Sequence, residues 1–238
     1  MTEWAAKRFW TDATVTGGSA GYGIALDGRE VKTPSKASLI VPTYALAAAI
    51  AAEWAAVEEK IDPRAMPMTR SANAAIDKVA HQHDEVATMI AAYGETDLLC
   101  YRAASPQELV LRQSEEWDPL LDWAAAHLGV RLKPVTGIMP KPQDPVALAR
   151  LQVLVHAHDP FALTGLHDLV ALSGSLIIGL AAAQDARPIK ELWQVSRLDE
   201  AWQAELWGAD EDAEAMAAIK RAAFVHARRF YKAAIDTS

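Results

Sequence analysis

The spacing of the apolar residues changes at Pro42-Thr43, and this change limits the folds that the chain can form. Before it, short β-prone runs alternate with turn signals, which is typical of antiparallel strands. After it, apolar residues recur every three or four positions, which is the period of amphipathic helices. The sequence therefore predicts an α+β protein, with a small β-rich domain (an antiparallel meander) in residues 1–42 and a larger, mostly α-helical domain in residues 43–238.

Turn signals divide the N-terminal domain into three or four short strands. Asp27-Gly28 predicts a hairpin, because a tight two-residue turn needs positive φ angles that Asp and Gly tolerate. The glycine-rich run at residues 17–21 predicts a second turn. A meander of this size buries only one face, so it would be marginal on its own.

Cap residues and prolines predict several helix ends. The residues expected to cap helices are Thr43, Thr69 and Ser105, the last in a capping box with Pro106 and Glu108. Asp118-Pro119 is expected to restart or kink the helix after that box. The apolar run at residues 161–183 contains small glycines, which predicts one or two central buried helices with close neighbours.

A stretch near the C terminus combines large aromatic side chains with carboxylates. No proline follows Pro188 there, and Gly208 stands where a helix would end in a left-handed cap, so one helix is expected between them. Its buried face is expected to carry Val195, Leu198, Trp202 and Leu206. Two interpretations are open: an amphipathic helix with a solvated acidic face, or a surface that recognises another protein.

The charge balance and the single cysteine exclude some classes of function. The formal net charge is -8 and the pI is about 5.4, which argues against a nucleic-acid partner, because phosphates are bound by clustered Lys and Arg. One cysteine, Cys100, allows no disulfide within the chain and suggests a reducing compartment. The start of the chain lacks the apolar core of a signal peptide, and no apolar run is long enough to cross a membrane. We therefore expect a soluble intracellular protein without membrane insertion.

No motif in the sequence predicts catalysis or a cofactor. The glycine-rich run does not open a helix, and Ser173-Gly174-Ser175 lacks the frame of a nucleophile elbow. The histidine pairs at 81 and 83 and at 156 and 158 are two residues apart, whereas zinc-binding helices use a spacing of four. Cys100 lies in an apolar context that makes a thiol inert. We therefore expect no enzyme activity, no metal and no cofactor.

A series of short motifs, in order along almost the whole chain, resembles one known family. In the first half they are Arg8-Phe9-Trp10, Leu26-Asp27-Gly28-Arg29, Lys32-Thr33-Pro34, Glu53-Trp54, Ile61-Asp62-Pro63, Met66-Pro67-Met68-Thr69 and Asn73-Ala74-Ala75-Ile76-Asp77. Further on they are the runs at residues 96–102 and 117–123, Ser173-Gly174-Ser175, and the acidic aromatic block at residues 202–210. Together they resemble the assembly chaperones of the F-type ATP synthase catalytic head that attend the alpha subunit.

The resemblance implies a two-part fold and a non-enzymatic function. Members bind newly made alpha subunit before it pairs with beta, so that its apolar interface does not aggregate. The family works in mitochondria and in related bacteria, which implies the cytoplasm for a bacterial form and the mitochondrial matrix for a processed chain. No nucleic acid or cofactor is implied.

The resemblance also implies where the partner would bind. Glu205 in the acidic aromatic block is the first candidate, followed by Asp199, Glu200, Gln203 and Asp210, with Trp207 as an exposed residue of the same surface. The structural alternative for Glu205 is an ion pair with a neighbouring helix. Two other functions stay open: a small-molecule enzyme with a site between the two domains, and a general adaptor that binds exposed helices of several partners.

Overall fold

The computed structural model describes residues 7–18, 21–137 and 141–236, which form two compact units. The first unit contains the described residues of Met1–His83, Asp159–Gly165 and Arg229–Ser238, and the second contains those of Asp84–His158 and Leu166–Arg228. A small antiparallel strand region followed by a mostly helical part confirms the predicted fold class. Residue 42 lies inside the first unit, and the division into domains at that residue stays a prediction.

The strands of the first unit form one antiparallel sheet. β1 (Ala13–Gly18) pairs with β2 (Gly21–Leu26), with Ala13 opposite Leu26. β3 (Arg29–Glu30) and β4 (Ile40–Val41) both pair with β2, which is therefore the central strand. Asp27 and Gly28 have φ angles of 47° and 79°, so the predicted hairpin turn is confirmed. The turn expected at residues 17–21 includes Ser19 and Ala20, which lie outside the described residues.

The first helix begins at its predicted cap. In α1 (Tyr44–Ala55), the amide of Leu46 donates a hydrogen bond of 3.1 Å to the hydroxyl oxygen of Thr43. Leu46 and Ile50 are fully buried and pack in the core of the first unit. That core also contains Trp10, Ile24, Leu39, Val41 and Phe230.

The second helix is capped by a side chain from α1. α2 (Pro67–Asp77) begins two residues before Thr69, so the prediction that Thr69 caps this helix is wrong. Instead, the carboxylate of Glu53 accepts hydrogen bonds from the amides of Met68 (2.6 Å) and Thr69 (2.8 Å) and from the Thr69 hydroxyl (2.7 Å). The first amides of a helix have no partner within the helix, and Glu53 supplies one.

Helices make up most of the second unit. In chain order the remaining helices are α3 (His83–Ala91), α4 (Gln107–Trp123), α5 (Pro145–His156), α6 (Pro160–Ser173), α7 (Leu176–Ala183), α8 (Ile189–Ser196), α9 (Leu198–Trp207) and α10 (Glu211–Ile235). The first residues of α6 and the last of α10 belong to the first unit. Short 3₁₀ turns occur at Pro63–Ala65, Val79–His81, Ala92–Glu95 and Leu98–Cys100. β5 (Tyr101–Arg102) and β6 (Val135–Thr136) form a parallel pair.

Several local predictions for the second unit can be compared with these elements. Every residue of α7 is buried, which confirms the central buried helix. α4 begins only at Gln107, without a side-chain cap, so the predicted capping box at Ser105 is wrong. The same helix continues through Pro119, so the predicted restart is wrong, and the alternative of a kink at Pro119 stays a prediction.

The single helix expected between Pro188 and Gly208 consists of two helices, α8 and α9. They are separated at Arg197, whose backbone (φ -115°, ψ 19°) is not helical. The hydroxyl of Ser196 donates a 2.7 Å hydrogen bond to the carbonyl of Trp193, and such local bonds compete with the helical ladder. Among the helices that the structure describes, none is long and apolar enough to cross a membrane.

Candidate partner-binding surface

The start of α9 is attached to α4 by a buried amide. The side-chain nitrogen of Gln113, on α4, donates a 2.7 Å hydrogen bond to the carboxylate of Asp199. The side-chain oxygen of the same Gln113 accepts a 2.8 Å bond from the amide of Ala103. Because Gln113 is only 2% exposed, this bonding places Asp199 in a fixed position. Asp199 therefore orients α9.

Glu205 forms an ion pair with a neighbouring helix. Both of its carboxylate oxygens accept hydrogen bonds from one nitrogen of the Arg112 guanidinium, at 2.7 and 2.9 Å. The hydrogen bond from Arg112 lowers the pKa of Glu205, and the bond to Glu205 raises the pKa of Arg112. The side chains are 55% and 38% exposed, so water screens the pair. The pair is accessible to another protein that offers a charge to either member.

The other polar candidates differ in what they bond. Glu200 pairs with Arg197 at 2.6 Å, three residues earlier on the chain. The carboxylate of Asp210 accepts a 2.8 Å hydrogen bond from the amide of Ala213 at the beginning of α10. Gln203 is exposed, and its side chain has no hydrogen bond within the part of the chain that the structure describes. Glu200 and Asp210 therefore have local structural partners, whereas Gln203 does not.

The end of α9 exposes large apolar side chains. Trp207 is 82% exposed and Leu206 is 56% exposed, and Met216 and Ile219 near the start of α10 are exposed as well. We call these four residues the apolar patch. Leu206 was expected on a buried face, and this is wrong, because α9 buries Leu198 at its start but leaves Leu206 in its last turn 56% exposed. Trp202 is only partly buried.

Gly208, which follows α9, has the predicted positive φ angle but not the ψ angle of a left-handed cap. Gly208 follows α9 with φ 90° and ψ 154°. The positive φ is the one predicted, and it explains the glycine, because other residues rarely adopt it. The ψ value is extended, so the chain leaves α9 without the left-handed turn that was expected.

A groove of about 580 Å³ in the second unit is lined in part by the first turns of α9. Its charged residues are Arg112, Arg187, Arg197, Arg221, Glu116 and Glu191. Arg221 has no ion pair among the residues described, whereas Arg112 and Arg197 are paired with Glu205 and Glu200. Arg187 also pairs with Glu116, so three of the four guanidinium groups of the groove already have a carboxylate partner.

The cysteine and the two serines that were considered as catalytic groups are buried. Cys100 is buried, and burial raises the pKa of its thiol to about 12. The Ser173 hydroxyl donates to the Leu169 carbonyl at 2.7 Å. The Ser175 hydroxyl donates to the carboxylate of Asp97 at 2.7 Å. In the described ranges, no three His, Cys, Asp or Glu side chains are grouped to hold a metal ion.

Three buried or bridging side chains were missed from the sequence. They are Glu53, Asp97 and Gln113, and each bonds a segment distant in the chain. The only local signal was the position of Asp97 directly before an apolar run, which is also typical of a simple cap. Spacing along a helix cannot identify partners on another helix.

Comparison with known proteins gives consistent matches. The family described as ATP12 chaperone protein matches residues 7–125. The crystal structure of Atp12 from Paracoccus denitrificans has a TM-score of 0.95 and 52% identity, covering 98% of this chain and 100% of that one. A protein from Agrobacterium tumefaciens gives a TM-score of 0.91 and 40% identity, over 95% of this chain and 85% of that one. The mitochondrial protein atp12 of Schizosaccharomyces pombe is 26% identical over 219 residues, 87% of this chain and 75% of that protein.

Proposed function

This chain belongs to the ATP12 chaperone protein family, and we propose that it assists ATP synthase assembly by binding the unassembled alpha subunit of the catalytic head. An unassembled subunit exposes an apolar interface that aggregates unless it is covered. Covering it until beta arrives is a binding function, and it requires no catalytic group. We place this activity in the cytoplasm of a bacterium, or in the mitochondrial matrix if the chain is a processed form.

The exposure of Trp207 is the observation that carries the proposal. Its indole is 82% exposed and has no ring contact or hydrogen bond within the described ranges. A tryptophan gains most when its large surface is removed from water, and tryptophans are enriched in interface hot spots. Leu206, next to it in the chain, and Met216 and Ile219 on α10 are exposed apolar side chains as well. A partner with a complementary apolar surface would therefore gain free energy here.

The polar residues that were predicted to bind the partner would orient it on the apolar patch. Glu205 and Gln203 are exposed on the same helix as Trp207 and are available to donors of the alpha subunit. Asp199 supports the surface through its bond to Gln113 on α4, and Glu200 and Asp210 support it through bonds to residues close in the chain. The exposed ion pairs of Glu205 and Glu200 contribute little to folding, so they can exchange for bonds to a partner.

Co-expression with ATP synthase alpha subunit tests the proposal. The native chain is expected to keep alpha soluble, to co-purify with it, and to be displaced by beta. Trp207→Ser is expected to reduce co-purified alpha at least tenfold, because loss of a hot-spot tryptophan typically costs about 2 kcal/mol or more. Val146→Ser is the matched control, since Val146 on α5 is 76% exposed but lies outside the apolar patch.

Two results would contradict the proposal. Alpha that aggregates with the native chain as it does alone would remove alpha as the client. Equal losses from Trp207→Ser and Val146→Ser would remove the apolar patch as the binding surface. Replacing alpha by beta in the same assay separates a dedicated chaperone from a general adaptor, because an adaptor would retain both subunits.

A further inference from the structure

The first unit contains a cavity of about 610 Å³ that the proposed function does not use. Trp54, Ile61 and Met66 form an apolar part of its wall, and Asn73 on α2 lies in the same wall. Volumes of this size are typical of ligand sites, which combine apolar walls with a few polar groups. We call this space the α2 cavity.

Two residues that line the α2 cavity each have a polar side-chain atom without a hydrogen-bond partner. The indole nitrogen of Trp54 is a buried donor, and the side-chain oxygen of Asn73 is a buried acceptor. They are the only buried side-chain nitrogen or oxygen atoms without a partner in the ranges that the structure describes. Burial of an unpaired polar group is costly, and such groups are rare in native proteins. Both atoms are therefore prepared for a ligand that supplies one acceptor and one donor.

The remaining polar groups of the cavity give its rim a positive charge. Lys32, Arg70 and Lys78 line it together with one carboxylate, Asp77. That carboxylate already accepts hydrogen bonds from the Thr33 hydroxyl (2.6 Å) and the Ser35 amide (3.1 Å). A ligand that carries a negative charge next to an apolar group would complement this rim.

We propose that the α2 cavity binds an extended polypeptide segment in which an apolar residue adjoins an acidic one. In an extended chain the N–H and C=O of one residue point to the same side, as in strand pairing. The carbonyl accepts from the Trp54 indole, the N–H donates to the Asn73 oxygen, and the apolar side chain packs against Ile61 and Met66. The inference rests on the proposed function in taking this segment from the alpha subunit.

Variants that remove one of the two unpaired polar atoms test this binding mode. Asn73→Leu removes the acceptor at similar size, and Trp54→Phe removes the donor but keeps an aromatic ring. Asn73→Leu is expected to leave the melting temperature unchanged or higher, because it removes an unpaired polar group, whereas a structural role would lower it. Gln152→Leu, an exposed amide on α5, is the matched control.

The readout uses immobilised overlapping 15-residue peptides of ATP synthase alpha subunit and labelled native chain. Peptides with an apolar residue beside an acidic one are expected to bind, and binding is expected to fall at least fivefold with Asn73→Leu and with Trp54→Phe but not with Gln152→Leu. The indole N–H resonance that disappears in Trp54→Phe should shift when such a peptide is added to the native chain. No binding, equal binding by the Asn73 variant, or an unmoved resonance would overturn the inference.

The same variants separate this inference from the proposed function. A native chain that retains no full-length alpha on co-expression contradicts the proposed function, and the peptide array still decides whether the cavity binds such segments. A native chain that retains alpha, with Asn73→Leu and Trp54→Phe retaining it equally, contradicts the inference alone.

Discussion

Removal of the Asp97 carboxylate tests how the second unit is held together. Asp97 is completely buried at the beginning of the 3₁₀ turn Leu98–Cys100. One of its oxygens accepts hydrogen bonds from the Ser175 hydroxyl (2.7 Å) and the Leu99 amide (3.0 Å). The other oxygen accepts from the amide of Ile177 at 3.0 Å. A single side chain thus joins this turn to the first residues of the buried helix α7.

The size of the expected loss in stability follows from the buried amides that lose their acceptor. Asp97→Ala leaves the amides of Leu99 and Ile177 buried and unpaired, and each such group costs about 1–3 kcal/mol. The expected loss in free energy of unfolding is therefore about 2–6 kcal/mol. Asp97→Asn retains one oxygen but presents an NH₂ group to the Ile177 amide, so only one bond is lost, at about 1–3 kcal/mol.

Urea unfolding measures these losses, and the midpoint should fall while the slope stays constant. Titration supplies a second test. Burial raises the pKa of Asp97 above its ordinary value of 3.8, so the folded chain keeps the proton to a higher pH than the unfolded chain. The associated stability is complete below pH 3.8 and is lost as the pH rises through the folded pKa. The advantage of the native chain over Asp97→Asn should therefore decrease from acid towards neutral pH.

Two results would refute this reasoning. A loss below about 1 kcal/mol for Asp97→Ala would mean that both amides have other partners. A pH profile shared by the native chain and Asp97→Asn would mean that burial does not affect the carboxyl group.

Three further predictions concern single side chains. Glu205→Gln should weaken retention of alpha subunit with almost no change in melting temperature, because its ion pair with Arg112 is exposed; a large fall in melting temperature would make Glu205 structural. Glu53→Ala should lower stability by about 1–2 kcal/mol in urea unfolding, as loss of a helix cap does, whereas exposed Glu58→Ala should have little effect; equal effects would contradict the cap. Iodoacetamide at pH 8 should modify Cys100 only in unfolded protein, because burial raises the thiol pKa to about 12; rapid modification of the folded chain would show that it is accessible.

Features that depend on neighbours within about four residues were predictable from the sequence. The change of period at Pro42-Thr43 separates strands from helices, and the structure places β4 and α1 on either side of it. The turn at Asp27-Gly28 has the positive φ angles that its residue types favour. Capping of α1 by Thr43 involves an amide three residues away. In each case the interacting groups are close in sequence, so spacing alone identifies them.

The candidate surface was predictable only as a list of residues. The sequence indicated that Trp207 would be exposed, and the structure agrees. It also indicated a buried Leu206, which is wrong, because only the start of α9 is packed, at Leu198, and its last turn is exposed. The ion pair of Glu205 was one of two alternatives, and its partner Arg112 lies 93 residues earlier in the chain.

Tertiary structure alone decided which polar groups are paired. Glu53 caps a helix other than its own, and Gln113 joins α4 to α9, because folding brings together helices whose separation in sequence carries no fixed period. The same reason applies to Trp54 and Asn73. The sequence places each on a helix, but whether an indole nitrogen or an amide oxygen finds a partner depends on every element packed around it. Only the folded chain therefore reveals that these two unpaired atoms belong to residues that line one cavity.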